Sequence, residues 1–124
     1  MSKIESHRDL IVWQKAMDLA VEVYALTKLL PREETYRLTA QITRSAASVP
    51  ANIAEGHSRS TKRDYANFLA IAKGSLMETE TFLMLALRLG YLKDEQTIRA
   101  MGLITEVSKM ITTIRAKLIN HENH

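Results

Sequence analysis

The chain has no cysteine, which excludes disulfides and thiolate metal sites and fits a reducing compartment. Only four glycines and two prolines supply turn chemistry in 124 residues, so a few long elements with short connections are expected. No uncharged apolar run approaches the ~20 residues that cross a bilayer. The opening MSKIESHRD stretch holds no apolar segment of the signal-peptide kind. These absences point to a cytoplasmic protein with no membrane partner. Aromatic residues are scarce too: seven, mostly on apolar rows, which leaves little surface for stacking nucleic-acid bases. What remains is 46% hydrophobic and 25% charged, the composition of a single globular domain spanning 1–124. The net charge of +3 is mildly basic and compatible with a polyanionic partner.

The apolar period is three to four throughout, which argues for helices and against strands. A first helix is expected over 9–29, with Ser6 and Asp9 at capping-box spacing or Asp9 itself as the cap. Val12, Ala16, Leu19, Val23, Leu26 and Leu30 form its seam, and Trp13, Met17, Ala20 and Tyr24 a second row beside it. Pro31 drives Leu30 towards an extended conformation and closes the helix. Glu33 and Glu34 suit the first turn of a second helix, 33–56, where negative charge meets the positive end of the dipole. Gly56 is placed to terminate it, and Pro50 should kink it near the Ala46 carbonyl.

A third helix is expected over 61–89, capped by Ser60 or Thr61, the latter with Asp64 at capping-box spacing, and ended by Gly90. Tyr65, Leu69, Ala72, Leu76, Thr79, Leu83 and Ala86 make its seam. Gly74 in mid-helix costs about 1 kcal/mol relative to alanine, and with Ser75 it is expected to admit a close backbone. Asp94 should cap a fourth helix, 94–120, with Ile104, Val107, Ile111, Ile114 and Leu118 inward, before a polar tail, 120–124, that frays. Connections this short force antiparallel neighbours. The predicted fold is an all-α, up-down-up-down antiparallel four-helix bundle.

The second helix carries the most unusual face. Gln41, Arg44, Ser48, Asn52 and Glu55 share an arc roughly 80° wide. Leu38, Ile42, Ala46, Val49 and Ile53 form its apolar arc, and Thr39, Thr43, Ala47, Pro50 and Ala54 a row of small residues suited to close helix approach. The polar arc could line a binding pocket. It reads better as a buried hydrogen-bond network, with Arg44 paired to Glu55 or to Glu78 of the third helix.

Three stretches are similar to a known family: DLIVWQKAMDL at 9–19, LTAQITR at 38–44 leading into SVPANIAEG at 48–56, and FLAIAKGSLME at 68–78. The combination of the 52–56 element with Gly74, Ser75 and Glu78 resembles the bacterial four-helix proteins encoded in intervening sequences of 23S ribosomal RNA genes, often labelled S23 ribosomal proteins. Thr43 and Ser45 stand where that family more often has arginine and alanine, which leaves the second helix one basic residue short for RNA. The resemblance implies a bundle that assembles into a homopentameric ring, with no established biochemical activity. Accessory proteins of diversity-generating retroelements, basic pentameric bundles that work with a reverse transcriptase and its RNA, look similar too.

Function is less legible. A di-iron bundle needs Glu-x-x-His pairs, and none occurs here. His121 and His124 are spaced i, i+3 but fall in the tail. Glu55 and Glu78 could pair as carboxylates, but no nucleophile or ligand set accompanies them. No enzyme, catalytic residue, metal, cofactor or small-molecule substrate is therefore expected. Arg59, Lys62 and Arg63, between the second and third helices, are the candidate contacts for RNA or DNA. Arg8, Lys73, Arg99, Lys109, Arg115 and Lys117 could extend the patch. The second apolar row of the first helix, with Ala70, Met77 and Met84 off the main seam of the third, points to self-association.

Overall fold

The computed structural model describes residues 4–122, with side-chain surroundings from 4 to 120. Four α-helices account for most of them: α1 (Ile11–Thr27), α2 (Leu38–His57), α3 (Lys62–Arg88) and α4 (Asp94–Glu122). Short 3-10 turns at His7–Asp9 and Arg32–Glu34 precede α1 and α2, and no strand occurs among the described residues. Each helix packs on two others: α2 on α1 and α3, and α4 on α1 and α3. Neither α1 with α3 nor α2 with α4 makes a close backbone approach, so these two pairs occupy diagonals.

The apolar seams read from the sequence meet in one core. Leu19, Val23, Ile42, Val49, Ile53, Leu69, Leu76, Leu83, Ile104, Val107 and Ile111 are fully buried. Each such side chain contributes roughly 1.5–3 kcal/mol relative to an exposed position, which makes this core the dominant stabilising element. No helix is long and apolar enough to cross a membrane among the described residues.

Helix ends follow local chemistry, in places different from that expected. The Ser6–Asp9 capping box forms, but it closes the 3-10 turn at His7–Asp9, while α1 starts after an extended Leu10. Glu33 and Glu34 lie outside α2, because Arg37 (φ −119°, ψ −105°) interrupts the helical path and α2 begins at Leu38. Glu34 still serves α2: its buried carboxylate accepts the Leu38 backbone N–H at 3.2 Å, and its other oxygen accepts the Tyr91 hydroxyl at 3.0 Å. Tyr91 is delivered there by Gly90, whose φ of +79° ends α3. The Tyr91 N–H reaches back to the Ala86 carbonyl at 2.9 Å, the six-to-one bond of a Schellman turn.

Thr61 caps α3 as expected, accepting the Asp64 N–H at 3.1 Å. Asp94 lies inside the first turn of α4, and the Gln96 side chain instead accepts the Lys93 N–H at 2.8 Å. The helix continues to Glu122, beyond the expected fraying point at 120. His124 and the side chain of His121 lie outside the described residues.

Two glycine expectations need correction. Gly56 is helical and does not terminate α2, which runs to His57 and passes through buried Pro50 without interruption. A Cβ on Gly56 would sit 2.8 Å from Phe68 Cβ and 3.2 Å from the Tyr65 carbonyl oxygen, so its role is close approach to α3. Gly74, expected to provide that approach, has nothing within 4 Å of its would-be Cβ. The row of small residues on α2 is mixed: Pro50 is buried, Thr39, Thr43 and Ala54 are half-buried, and Ala47 is exposed.

Candidate nucleic-acid interface

The polar arc of α2 divides into two parts. Gln41, Arg44 and Glu55 are exposed, whereas Ser48 and Asn52 are half-buried. Arg44 does reach Glu78, at 3.8 Å, with Gln41 Oε1 3.4 Å from its Nη2. Both charged partners are largely solvated, so this contact is a surface pair rather than the buried network expected, and such pairs contribute about 0–1 kcal/mol. Glu55 does not join it; the Arg59 guanidinium lies 2.9 Å away, one turn on.

The polar seam between α2 and α3 is made of hydroxyls instead. Ser45 and Thr79 are buried with their oxygens 2.9 Å apart, and Ser48 meets Ser75 at 2.8 Å. Asn52 Nδ2 donates to both the Ser48 carbonyl and its hydroxyl at 2.9 Å. The Ser45 and Thr79 hydroxyls each also have a carbonyl one turn back within reach, Ile42 for Ser45 and Ser75 for Thr79. With one proton apiece, one donates to its carbonyl and the other to its partner hydroxyl, and no described buried side-chain polar atom is left unpaired. Ser45 was not among the expected network residues. Its signal was faint: a hydroxyl beside the apolar row of α2, matched by the polar Thr79 within the seam of α3.

The basic residues of the α2–α3 turn separate by environment. Arg59 is engaged by Glu55 and lies over the Phe68 ring, 4.6 Å from its centroid. Lys62 and Arg63, exposed at the start of α3, line a hollow of about 190 Å³ together with Asn67 and, from α4, Arg115. Arg115 is held in place by donating from Nε to the Ala66 carbonyl at 2.9 Å. Further along the same α3–α4 groove, Lys73 donates to Thr112 at 2.8 Å, beside Arg115 again.

The groove is lined by Lys62, Arg63, Lys73 and Arg115, and residues 62–73 of α3 and 107–120 of α4 hold a single acid, Asp64. For a chain of net charge +3, that is a pronounced local excess. Helix packing thus unites the α2–α3 turn with the last turns of α4, a convergence no linear stretch displays. Arg8, Arg99, Lys109 and Lys117 do not line this groove; Lys109 lines a separate hollow beside Asp9 and Leu10, and Arg99 pairs with Glu22 at 3.2 Å. No group of three or more His, Asp or Glu side chains suited to a metal ion occurs among the described residues.

These features describe an all-α, four-helix protein with a hydroxyl-lined α2–α3 seam and one strongly basic groove. The chain belongs to the 23S rRNA-intervening sequence protein family, whose model matches residues 8–113. It is similar to a solved structure of a protein of unknown function from the S23 ribosomal protein family of Bacteroides thetaiotaomicron VPI-5482. The two chains are 33% identical, covering 85% of this chain and 98% of that one, with a TM-score of 0.78. Among curated proteins, none matches.

Proposed function

We propose that this chain is a non-enzymatic, antiparallel four-helix bundle of the cytoplasm that assembles into a homopentameric ring and binds RNA along its phosphate backbone. The observation that carries the binding reading is the α3–α4 groove, where Lys62, Arg63 and Arg115 converge with one acid nearby. Each cation that neutralises a phosphate releases condensed counterions, and a ring repeats the groove several times, multiplying a weak single contact. Antiparallel packing is supported by contact register: as α2 advances through Ser45, Ser48 and Gly56, its α3 partners retreat through Thr79, Ser75 and Phe68. The number five rests on the family resemblance.

The test is a fluorescence-anisotropy titration of a mixed-sequence, single-stranded RNA at ~50 mM salt, where phosphate contacts are strongest. Binding should weaken steeply as salt rises. Lys62→Gln and Lys73→Gln should each reduce the logarithmic salt slope by about 1 without changing sequence preference. A flat titration at low salt overturns the binding reading and favours a purely structural scaffold. Service to a reverse transcriptase as a retroelement accessory would use the same groove, and a reverse-transcriptase gene next door would distinguish it.

A further inference from the structure

The outer faces of α1 and α3 have no partner among the described residues. On α1, Met17, Val21 and Tyr24 are exposed along one stripe, with Val21 at 68%. On α3, the stripe Ala70, Gly74, Met77, Thr81 and Met84 is exposed and carries no charge over four turns. The helices α1 and α3 occupy a diagonal of the fold, so these faces look outward on different sides. They also differ in relief. The α1 stripe is bulky throughout, whereas the α3 stripe is low at Ala70 and Gly74, with nothing within 4 Å of the would-be Cβ of Gly74, before it rises at Met77 and Met84.

From this geometry we infer that the α3 face of one chain receives the α1 face of a second copy, head to tail. The inference rests on the self-assembly proposed above and names the surfaces that carry it. An interface between identical faces would pair bulky with bulky or small with small. Joining the two different faces sets a ridge into a groove and leaves each chain with one free donor face and one free acceptor face, the arrangement from which rings close. Rotation about an axis along the bundle keeps α1 of one copy parallel to α3 of the next.

The stripes then match in spacing. Met17, Val21, Tyr24 and Lys28 fall opposite Ala70, Gly74, Met77 and Thr81, both sets stepping 4-3-4. This register brings Lys28 beside Glu80, and neither forms an ion pair within the described chain. Charge and size therefore select the same occupant: another copy of this protein.

The absence of cysteine allows a direct test. Val21→Cys and Gly74→Cys, combined in the full chain and oxidised with diamide, should give a ladder of disulfide-linked chains on a non-reducing gel. Each single variant should remain unlinked, since head-to-tail contact never brings a position against itself. Tyr24→Cys with Met77→Cys, both at exposed positions, repeats the test should the first pair fold poorly, as judged by circular dichroism. Linked dimers from Gly74→Cys alone would indicate a two-fold contact and overturn the inference. So would unlinked double variants that keep an oligomeric mass by light scattering, a result that spares self-assembly. A monomeric wild-type mass would remove both.

Discussion

Gly56 and Gly74 are chemically identical residues on neighbouring helices, yet their surroundings predict opposite consequences for the same substitution. At Gly56 an added methyl group meets Phe68 Cβ at 2.8 Å and the Tyr65 backbone at 3.2 Å, and the backbone cannot move aside cheaply. Gly56→Ala should therefore cost about 1–3 kcal/mol, the usual range for overpacking, read as a lower urea midpoint. At Gly74 the methyl group enters open space. Gly74→Ala should raise the stability of the individual chain by roughly 0.5–1 kcal/mol through helix propensity. Glu34 gives the residue scale its pH dependence. The Leu38 N–H and then the Tyr91 hydroxyl stabilise its charged form, which lowers its pKa below the ordinary glutamate value. A carboxylate with a depressed folded pKa contributes stability that is complete above its unfolded pKa and lost as pH falls through the folded one. Unfolding midpoints should thus decline from the ordinary glutamate range downward, and Glu34→Gln should flatten part of that decline. Asp9, lowered by the Glu5 and Ser6 backbone N–H groups, would account for some of the remaining slope.

At the scale of elements, the α2–α3 contact is specified by hydroxyl pairs, and both members of the Ser45–Thr79 pair have a carbonyl one turn back as a second partner. Thr79→Val removes the bond to Ser45, but Ser45 still donates to the Ile42 carbonyl. The single change should cost about 0.5–1.5 kcal/mol, whereas Ser45→Ala with Thr79→Val should cost measurably less than the sum of the single changes, because no half-satisfied hydroxyl remains. Additive losses in a double-mutant cycle would show that the two oxygens do not interact. The same contact shows where the sequence was legible. Helix existence and the apolar seams followed from a period of three to four: Val12, Ala16, Leu19, Val23, Leu26 and Leu30 are all buried, as are Leu38, Ile42, Ala46, Val49 and Ile53. Helix ends were less legible, because a cap depends on tertiary partners. Glu34 looked like a first-turn residue and is drawn inward by Tyr91, 57 positions away. The polar arc misled for a related reason. One helix's periodicity says which residues share a face, but not how far the neighbouring helix extends over it. Arg44 and Glu55 lie just outside α3's cover, while Ser45 lies under it.

At the scale of the whole molecule, charge and apolar surface are segregated. Lys62, Arg63, Lys73 and Arg115 line the groove between the start of α3 and the end of α4, while the uncharged stripes occupy the outer faces of α1 and α3. The basic residues were visible in sequence, but their convergence depends on α3 and α4 being neighbours, with Arg115 held there by its bond to Ala66. Segregation lets the proposed assembly faces be altered without touching a residue of the groove. Association stabilises a folded chain by mass action, so the thermal midpoint of an assembling protein rises with total chain concentration, whereas that of a monomer does not. The wild-type midpoint should climb over a hundredfold concentration range. Met77→Glu introduces a charge on the exposed α3 stripe, where the single chain tolerates it within about 0.5 kcal/mol. That variant should unfold at a concentration-independent midpoint close to the wild-type value extrapolated to high dilution. Its RNA affinity should fall as well, since separated chains present one groove at a time. A wild-type midpoint that stays constant across the range would mean that the outer faces of α1 and α3 remain bare in solution.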